Sequence, residues 1–443
     1  MTFGYANKFL TFLVFVAVTG SAQTKLPNTP AGDTLRTWLE VFNSGDRRKV
    51  EEYVRTVDKS ESVVGLLSFH SRTGAFEVLS IESSEPLHLR FRMKDRTGMI
   101  TLASLFVKDG HPPTVETFAM NPIPPGATPI NVVLDADERK RVIEGIASTL
   151  TEYYVMPGNA QKMVTALKAH LANHDYDQIQ DGDVFATRLT KDLQKVSLDK
   201  HLRVDFSPFK VPAQTHPDPE AEHRYHLDME RSNCGFSKLE ILPNNVGYIK
   251  LDEFADVSFC GATVVAAMEF VAHSDSLIFD LRENEGGQPD MVAFVASYLF
   301  AQPIHLYDIY DRQNNSTVQT WTLSYVPGPR LTNQTVFILT SRDTFSGAEA
   351  FAFHLRSQKR ATIVGEPTGG GAHPVSDHTI ADYFTMRVPF AESLDAVSKT
   401  NWEGTGVIPD VTAVSGTDAL TIAEKLAINR MQIQVEGTEP SLP

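Results

Sequence analysis

Apolar residues recur with helical spacing from Asp33 onward, where Leu35, Trp38, Leu39, Val41 and Phe42 share one broad face. Asn43-Ser44-Gly45-Asp46 ends that pattern, and a second helix is expected from Arg47 to Arg55. Strand-like runs follow at Val63 to Phe69, Ala75 to Ile81, Leu87 to Met93, Ile100 to Val107 and Thr114 to Phe118. Two or three helices followed by a meander predict a small α+β module over 33–120. The prolines of Asn121-Pro122-Ile123-Pro124-Pro125-Gly126 oppose both helix and ladder pairing, so 121–133 reads as a linker. Residues 23–32 read as another.

A helical stretch occupies 134–205. Asp135 is placed to cap a helix carrying Val142, Ile146, Leu150 and Tyr153/Tyr154, ended by Pro157. Two more helices are expected near 159–173 and 182–195. Residues 206–232, with four prolines and three histidines, read as an irregular connection or an extended arm. From Ser237 the pattern is α/β: strands at 246–251, 276–281, 336–340 and 361–364 alternate with helices at 262–273, 288–300 and 346–357. The core is expected over 206–430, with a tail at 431–443.

The N-terminus departs from this. Lys8, the apolar run Phe9 to Val18 and the small residues Gly20-Ser21-Ala22 describe a cleavable export signal over 1–22. The run is too short to span a bilayer, which needs roughly 20 apolar residues, so no integral membrane segment is expected after cleavage. The mature chain would be periplasmic or secreted. A formal charge of −15 and no Lys/Arg run argue against nucleic acid as a partner. The two cysteines, Cys234 and Cys260, exclude a four-cysteine zinc site; they are either paired after export or two buried thiols. No H-E-x-x-H, C-x-x-C or G-x-S-x-G occurs, so neither a metal centre nor an α/β-hydrolase elbow is expected.

Two units of the α/β part look alike. Leu277-Ile278-Phe279-Asp280 runs into Gly286-Gly287, and Phe337-Ile338-Leu339-Thr340 runs into Ser346-Gly347. Each places backbone N–H groups at a helix start, where orphan donors and the dipole favour negative charge. A serine at such a start is either an N-cap or a nucleophile facing a cleft. Gly347 would let a carbonyl approach closely. Glu349, three residues on, reads as a capping-box partner, not a catalytic acid. Asp280 is expected to close a buried network beneath the turn. Asn315-Ser316-Thr317 and Asn333-Gln334-Thr335 match the glycosylation triplet.

Four motifs in order, Asp280 to Gly287, Thr344 to Glu349, Lys359 to Thr368 and Asn401 to Asp410, carry a resemblance. Over roughly 135–430 the chain resembles the serine peptidase family of C-terminal (tail-specific) processing proteases, tricorn core protease and interphotoreceptor retinoid-binding protein. It is closest to the branch that includes the retinoid-binding protein. The resemblance implies a crotonase- or Clp-like β/α spiral core, no metal or organic cofactor, and peptide or protein substrates. The 33–120 module resembles more weakly, in element order and its F-N-S-G-D turn, the cone-shaped ketosteroid-isomerase-like fold.

Position by position, the resemblance implies Ser346 as nucleophile and the N–H groups of Gly287 and Gly347 as oxyanion hole. The tail-specific branch uses a lysine twenty-five residues after the serine; here that position is Gly371. The tricorn-like branch uses a histidine before the core, oriented by a late glutamate, which implies His201 and Glu403. The residue before that histidine is Lys200 where tricorn-type sites carry serine, so a fourth, hydroxyl member is not implied. His373 competes as base or contacts substrate, and Gly286 and Lys200 are expected to line the site. No peptide-docking insert is expected, because 206–245 is too short for one. Two functions are in play: an exported serine peptidase working through a Ser-His-Glu site, and a weak or inactive binding protein for apolar ligands or peptides on the same scaffold. Oligomeric state has no signature in the chain.

Overall fold

Thr29 opens the first helix: its side chain accepts the Gly32 N–H, Pro30 fixes the first turn, and Gly45 closes the far end in the left-handed region at φ 60°. This is α1, Pro30–Ser44; α2, Arg47–Thr56, and α3, Val63–Thr73, complete a three-helix layer. The structure, a computed structural model, describes residues 24–436 apart from Ser60, Pro125, Asn131, Val133, 213–218 and 414–417. The expected leader, 1–22, lies outside the described residues.

Residues 63–69 are helical where the apolar run predicts a strand. Ser62 caps the helix by accepting the Gly65 N–H, and Leu66 buries in the cluster formed with the other two helices and the sheet, so packing overrides strand propensity. The four strands β1 (Glu77–Ser84), β2 (His88–Lys94), β3 (Ile100–Lys108) and β4 (Thr114–Pro122) pair antiparallel in sequence order. Pro122 is tolerated because β4 is an edge. Trp38 and Phe42, stacked at 4.6 Å, fill the space between helices and sheet.

Helices α4 (Ala136–Tyr153), α5 (Pro157–Ala172) and α6 (Gly182–Ser197) form the next layer. Pro157 does not end α4 but opens α5, at the first helical position, where its missing N–H costs nothing. These helices pack on a small sheet of order β13-β14-β5, made of β5 (Arg203–Phe206), β13 (Val375–Ala381) and β14 (Phe384–Pro389). After β5 the chain is helical at α7, Pro219–Arg231, in place of the irregular arm expected there.

The main sheet has order β16-β12-β11-β8-β7-β6: β6 (Phe236–Leu242), β7 (Val246–Leu251), β8 (Ser276–Asp280), β11 (Thr335–Thr340), β12 (Ala361–Gly365) and β16 (Val411–Thr412). All neighbours are parallel except β6 and β7. Covering helices are α8 (Val257–Phe270), α9 (Pro289–Ser297), α10 (Gly347–Ser357) and α11 (Asp418–Glu436). Burial on both faces explains why β8 and β11 read as continuous apolar runs. A three-stranded sheet, β10-β9-β15, flanks this core through β9 (His305–Asp311), β10 (Ser316–Trp321) and β15 (Ala391–Asp395). α11 continues past residue 430, where the sequence places the start of the tail. Cys234 and Cys260 are disulfide-bonded, Cα atoms 5.6 Å apart, so the free-thiol alternative does not hold.

Candidate active site

β8 and β11 lie side by side, with Phe279 opposite Ile338, so their carboxyl-terminal loops emerge together. Open parallel sheets bind ligands at such ends. The loop after β8 brings Gly286 and Gly287; the loop after β11 brings Ser346 to the start of α10.

Both turns are held where ordinary side chains would not fit. Gly286 has φ 111° and Gly287 φ 132°, and a Cβ on Gly287 would lie 2.1 Å from Phe254 O. The Gly286 N–H donates to Asn284 Oδ1 and the Gln288 N–H to Phe254 O, at 2.8 and 2.7 Å, bracketing Gly287. A Cβ on Gly347 would lie 3.1 Å from Gly287 N, so the two glycine backbones are in close approach. Ser346 has φ 50° and ψ −117°, a conformation that serine adopts at a cost and that clusters at functional sites. Asp280, buried beneath the turn, accepts from Tyr248 Oη at 2.7 Å and from Arg282 Nε at 2.8 Å.

Glu349 folds back to accept the Ser346 N–H at 2.8 Å, as a capping-box glutamate would. It does more. Fully buried, its carboxylate also accepts Gly370 N–H at 2.7 Å, Gly371 N–H at 2.8 Å and the Thr368 hydroxyl. One side chain thus fixes both the serine turn and the glycine-rich loop that follows β12.

His201 stands in the turn between α6 and β5, after Leu198 ends the helix at φ 60°. His373 stands just before β13, the far strand of the same small sheet. Glu403 follows the buried Trp402, whose Nε1 donates to Gly371 O at 2.9 Å. Ser346, His201, His373, Lys200, Gly287 and Gly347 line one cleft of about 950 Å³. His201 tilts against Phe345, ring centres 4.8 Å apart. Lys200 Nζ donates to Gly369 O at 2.7 Å, across 169 residues of sequence.

Behind His201 lie two carboxylates. Asp199 Oδ1 accepts the His201 backbone N–H at 3.0 Å and sits 3.7 Å from its Nδ1. The donor atoms of Asp199, His201 and Glu403 all lie within 4.8 Å of one another. Glu403 Oε2 accepts the Ala372 N–H at 2.6 Å, while its Oε1 and the His201 Nδ1 are buried without hydrogen-bond partners. Asp199 Oδ2 receives the Tyr154 hydroxyl at 3.2 Å and lies 3.0 Å from His373 Nδ1. Burial and the Asp199 charge push the Glu403 carboxyl above its usual range. Burial opposes ionisation of Asp199 too, but its hydrogen bonds and the two imidazoles hold it low.

Of the residues that the resemblance points to, Ser346, His201, His373, Lys200, Gly287 and Gly347 line this cleft; Glu403 lies behind His201, and Gly286 lines a neighbouring pocket. Asp199 and Tyr154 were not assigned from the sequence. The signal for Asp199 was its place two residues before His201, where an aspartate closes an Asx turn on the backbone. Tyr154 carried none.

The model of peptidase family S41 matches residues 245–413, and that of the N-terminal domain of peptidase S41 in eukaryotic IRBP matches 132–232. Together these cover more than half of the chain, which belongs to peptidase family S41. It is 26% identical over 175 residues to carboxyl-terminal-processing peptidase 2, chloroplastic, of Arabidopsis thaliana, covering 37% of this chain and 31% of that protein. It is 29% identical over 126 residues to a carboxyl-terminal-processing protease of Synechocystis, 28% of each chain. The matched stretches thus span about a third or less of these curated relatives. Among solved structures, the photosystem II D1 C-terminal processing protease aligns at TM-score 0.40 and 14% identity, covering 62% of this chain and 92% of that one. Tricorn protease aligns at TM-score 0.43 and 11% identity, covering 80% and 41%.

Proposed function

We propose that the protein is an exported serine peptidase that hydrolyses peptide bonds of protein or peptide substrates. The observation that carries this reading is Ser346, strained at the start of α10 beside two close-packed glycine amides and sharing one cleft with His201. Ser346 Oγ attacks the peptide carbonyl while His201 removes its proton. The N–H groups of Gly287 and Gly347 hold the oxyanion. Glu403 Oε1, unpartnered at rest, takes up the His201 Nδ1–H as the imidazolium forms and stabilises it. His201 then gives its proton to the leaving amine, and water releases the acyl group by the same steps. No residue of this scheme calls for a metal or cofactor.

Export rests on the leader pattern at 1–22, and the Cys234–Cys260 bond suits an oxidising compartment. Sequencing the N-terminus of the exported protein tests it: a chain beginning near Gln23 is expected, and an intact Met1 in the cytosol overturns it.

Labelling by a fluorophosphonate serine probe tests the site. The intact protein should label, and Ser346→Ala and His201→Ala should not. A folded intact protein that fails to label overturns the reading and favours a binding protein on this scaffold.

A further inference from the structure

A buried carboxylate, Asp199, and a part-buried one, Glu403, beside a catalytic base pose a problem of charge. If Asp199 and Glu403 are both ionised, they repel each other in a site shielded from water, and the easier of the two to protonate ceases to accept from His201. Glu403 is that group, already raised by burial and by Asp199.

His373 stands between them. Its side chain is 1% exposed, and its Nδ1 lies 3.0 Å from Asp199 Oδ2 and 3.5 Å from Glu403 Oε2. The preceding residue, Ala372, donates its N–H to the same Glu403 oxygen. Ring and amide therefore engage Oε2 together, leaving Oε1 as the free oxygen.

We propose that His373 is a positioning residue, an imidazolium that bridges Asp199 and Glu403, balances their charge and keeps Glu403 ionised with Oε1 free for His201. The inference rests on the serine–histidine reading above. Burial alone would lower the His373 pKa, but the Asp199 hydrogen bond and the charges of Glu403, Asp199 and Glu392 raise it. Among the described residues, the other cations of the cleft have partners of their own: Arg342 faces Glu366 at 3.9 Å. Lys200 is engaged with Gly369 O, Arg387 pairs with Asp377 at 2.9 Å, and Tyr154 only donates to Asp199. Glu392, on β15, adds negative charge.

The test is the pH dependence of fluorophosphonate labelling rate on the full chain. In His373→Gln the acid limb should move to higher pH by at least one unit, slowing labelling about tenfold or more at neutral pH and little at alkaline pH. Adding Asp199→Asn removes the excess negative charge, and the double variant should recover the neutral-pH rate. A His373→Gln profile that overlays the wild type, or no recovery in the double variant, overturns the proposal. Should His373→Gln fail to fold, nitrogen-15 histidine shifts of the intact protein decide: an imidazolium at His373 at neutral pH supports the bridge, and a neutral ring overturns it. If the intact protein does not label, or His201→Ala labels equally fast, the underlying reading fails and the bridge falls with it.

Discussion

Gly371 and His201 share space that a side chain at position 371 would take. A Cβ there would lie 2.5 Å from His201 Cε1 and 2.3 Å from Phe345 Cζ. Position 371, twenty-five residues after Ser346, where the resemblance to tail-specific proteases would imply a lysine, thus has no room for a side chain beside His201 and Phe345 as they stand. A residue larger than glycine and this histidine placement exclude each other.

It follows that Gly371→Ala displaces His201 or Phe345 at a cost of about 1–3 kcal/mol, the usual range for overpacking. Labelling by the serine probe should fall at least tenfold while the variant remains folded by circular dichroism. Wild-type labelling in a folded Gly371→Ala protein would show that His201 tolerates the intrusion.

Glu349→Gln should hurt stability and activity together. The amide presents donors where the carboxylate accepts the N–H groups of Ser346, Gly370 and Gly371 and the Thr368 hydroxyl. Leaving buried donors unmatched costs about 3 kcal/mol or more across such a set. Urea unfolding should show that loss, and labelling should disappear with the collapse of both turns.

The buried pair His354 and Asp395 should contribute two acid-labile parts of the stability. His354 is fully buried, its Nδ1 2.9 Å from Asp395 Oδ2, and burial lowers its pKa despite that partner. The folded state therefore binds fewer protons than the unfolded chain, and stability drops once pH falls below about 6.5, the unfolded histidine value. Burial alone would raise the Asp395 pKa, but hydrogen bonds from His354 and Ser357 bring it below the usual carboxylate range. Its contribution is present above about pH 4 and is lost below it. The histidine part is read by comparing thermal midpoints of the wild type and a variant across this range. In His354→Gln the decline between neutral pH and about pH 5 should flatten; an unchanged slope would assign it elsewhere.

Reduction of Cys234–Cys260 should destabilise the core without touching the cleft. The bond closes a loop of 26 residues, worth about 3.5 kcal/mol by loop-closure entropy. The double serine variant should unfold at lower urea yet label at wild-type rate under native conditions.

The strands beneath the site were legible because β8 and β11 are buried on both faces and end in glycine or serine turns. Ser346 and the two glycine turns, the proposed nucleophile and oxyanion donors, stand out in the sequence for the same local reason. Residues 63–69 misled, since a short apolar run packed against helices differs from a strand only in its neighbours. α7 was hidden by the prolines at its start, and α11 by the weak apolar patterning of its last turns. The electrostatic surroundings of His201 were the least readable part. Asp199 and His373 are 174 residues apart, and only the small sheet β13-β14-β5 brings them together.

The loop that carries Gly287 is gripped from outside the core. Arg47 Nη2, on α2, lies 2.6 Å from Glu283 Oε1, while Lys250 Nζ holds Glu283 Oε2 at 2.7 Å. Ser62, at the start of α3, lines the same cleft as Ser346. On the proposed reading, nucleophile, base and clamp thus come from three separately packed parts of the chain. Were one of these parts undocked, Ser346 would stand without His201, or the Gly287 turn without the Arg47 contact. On that reading, hydrolysis requires all three parts to be docked.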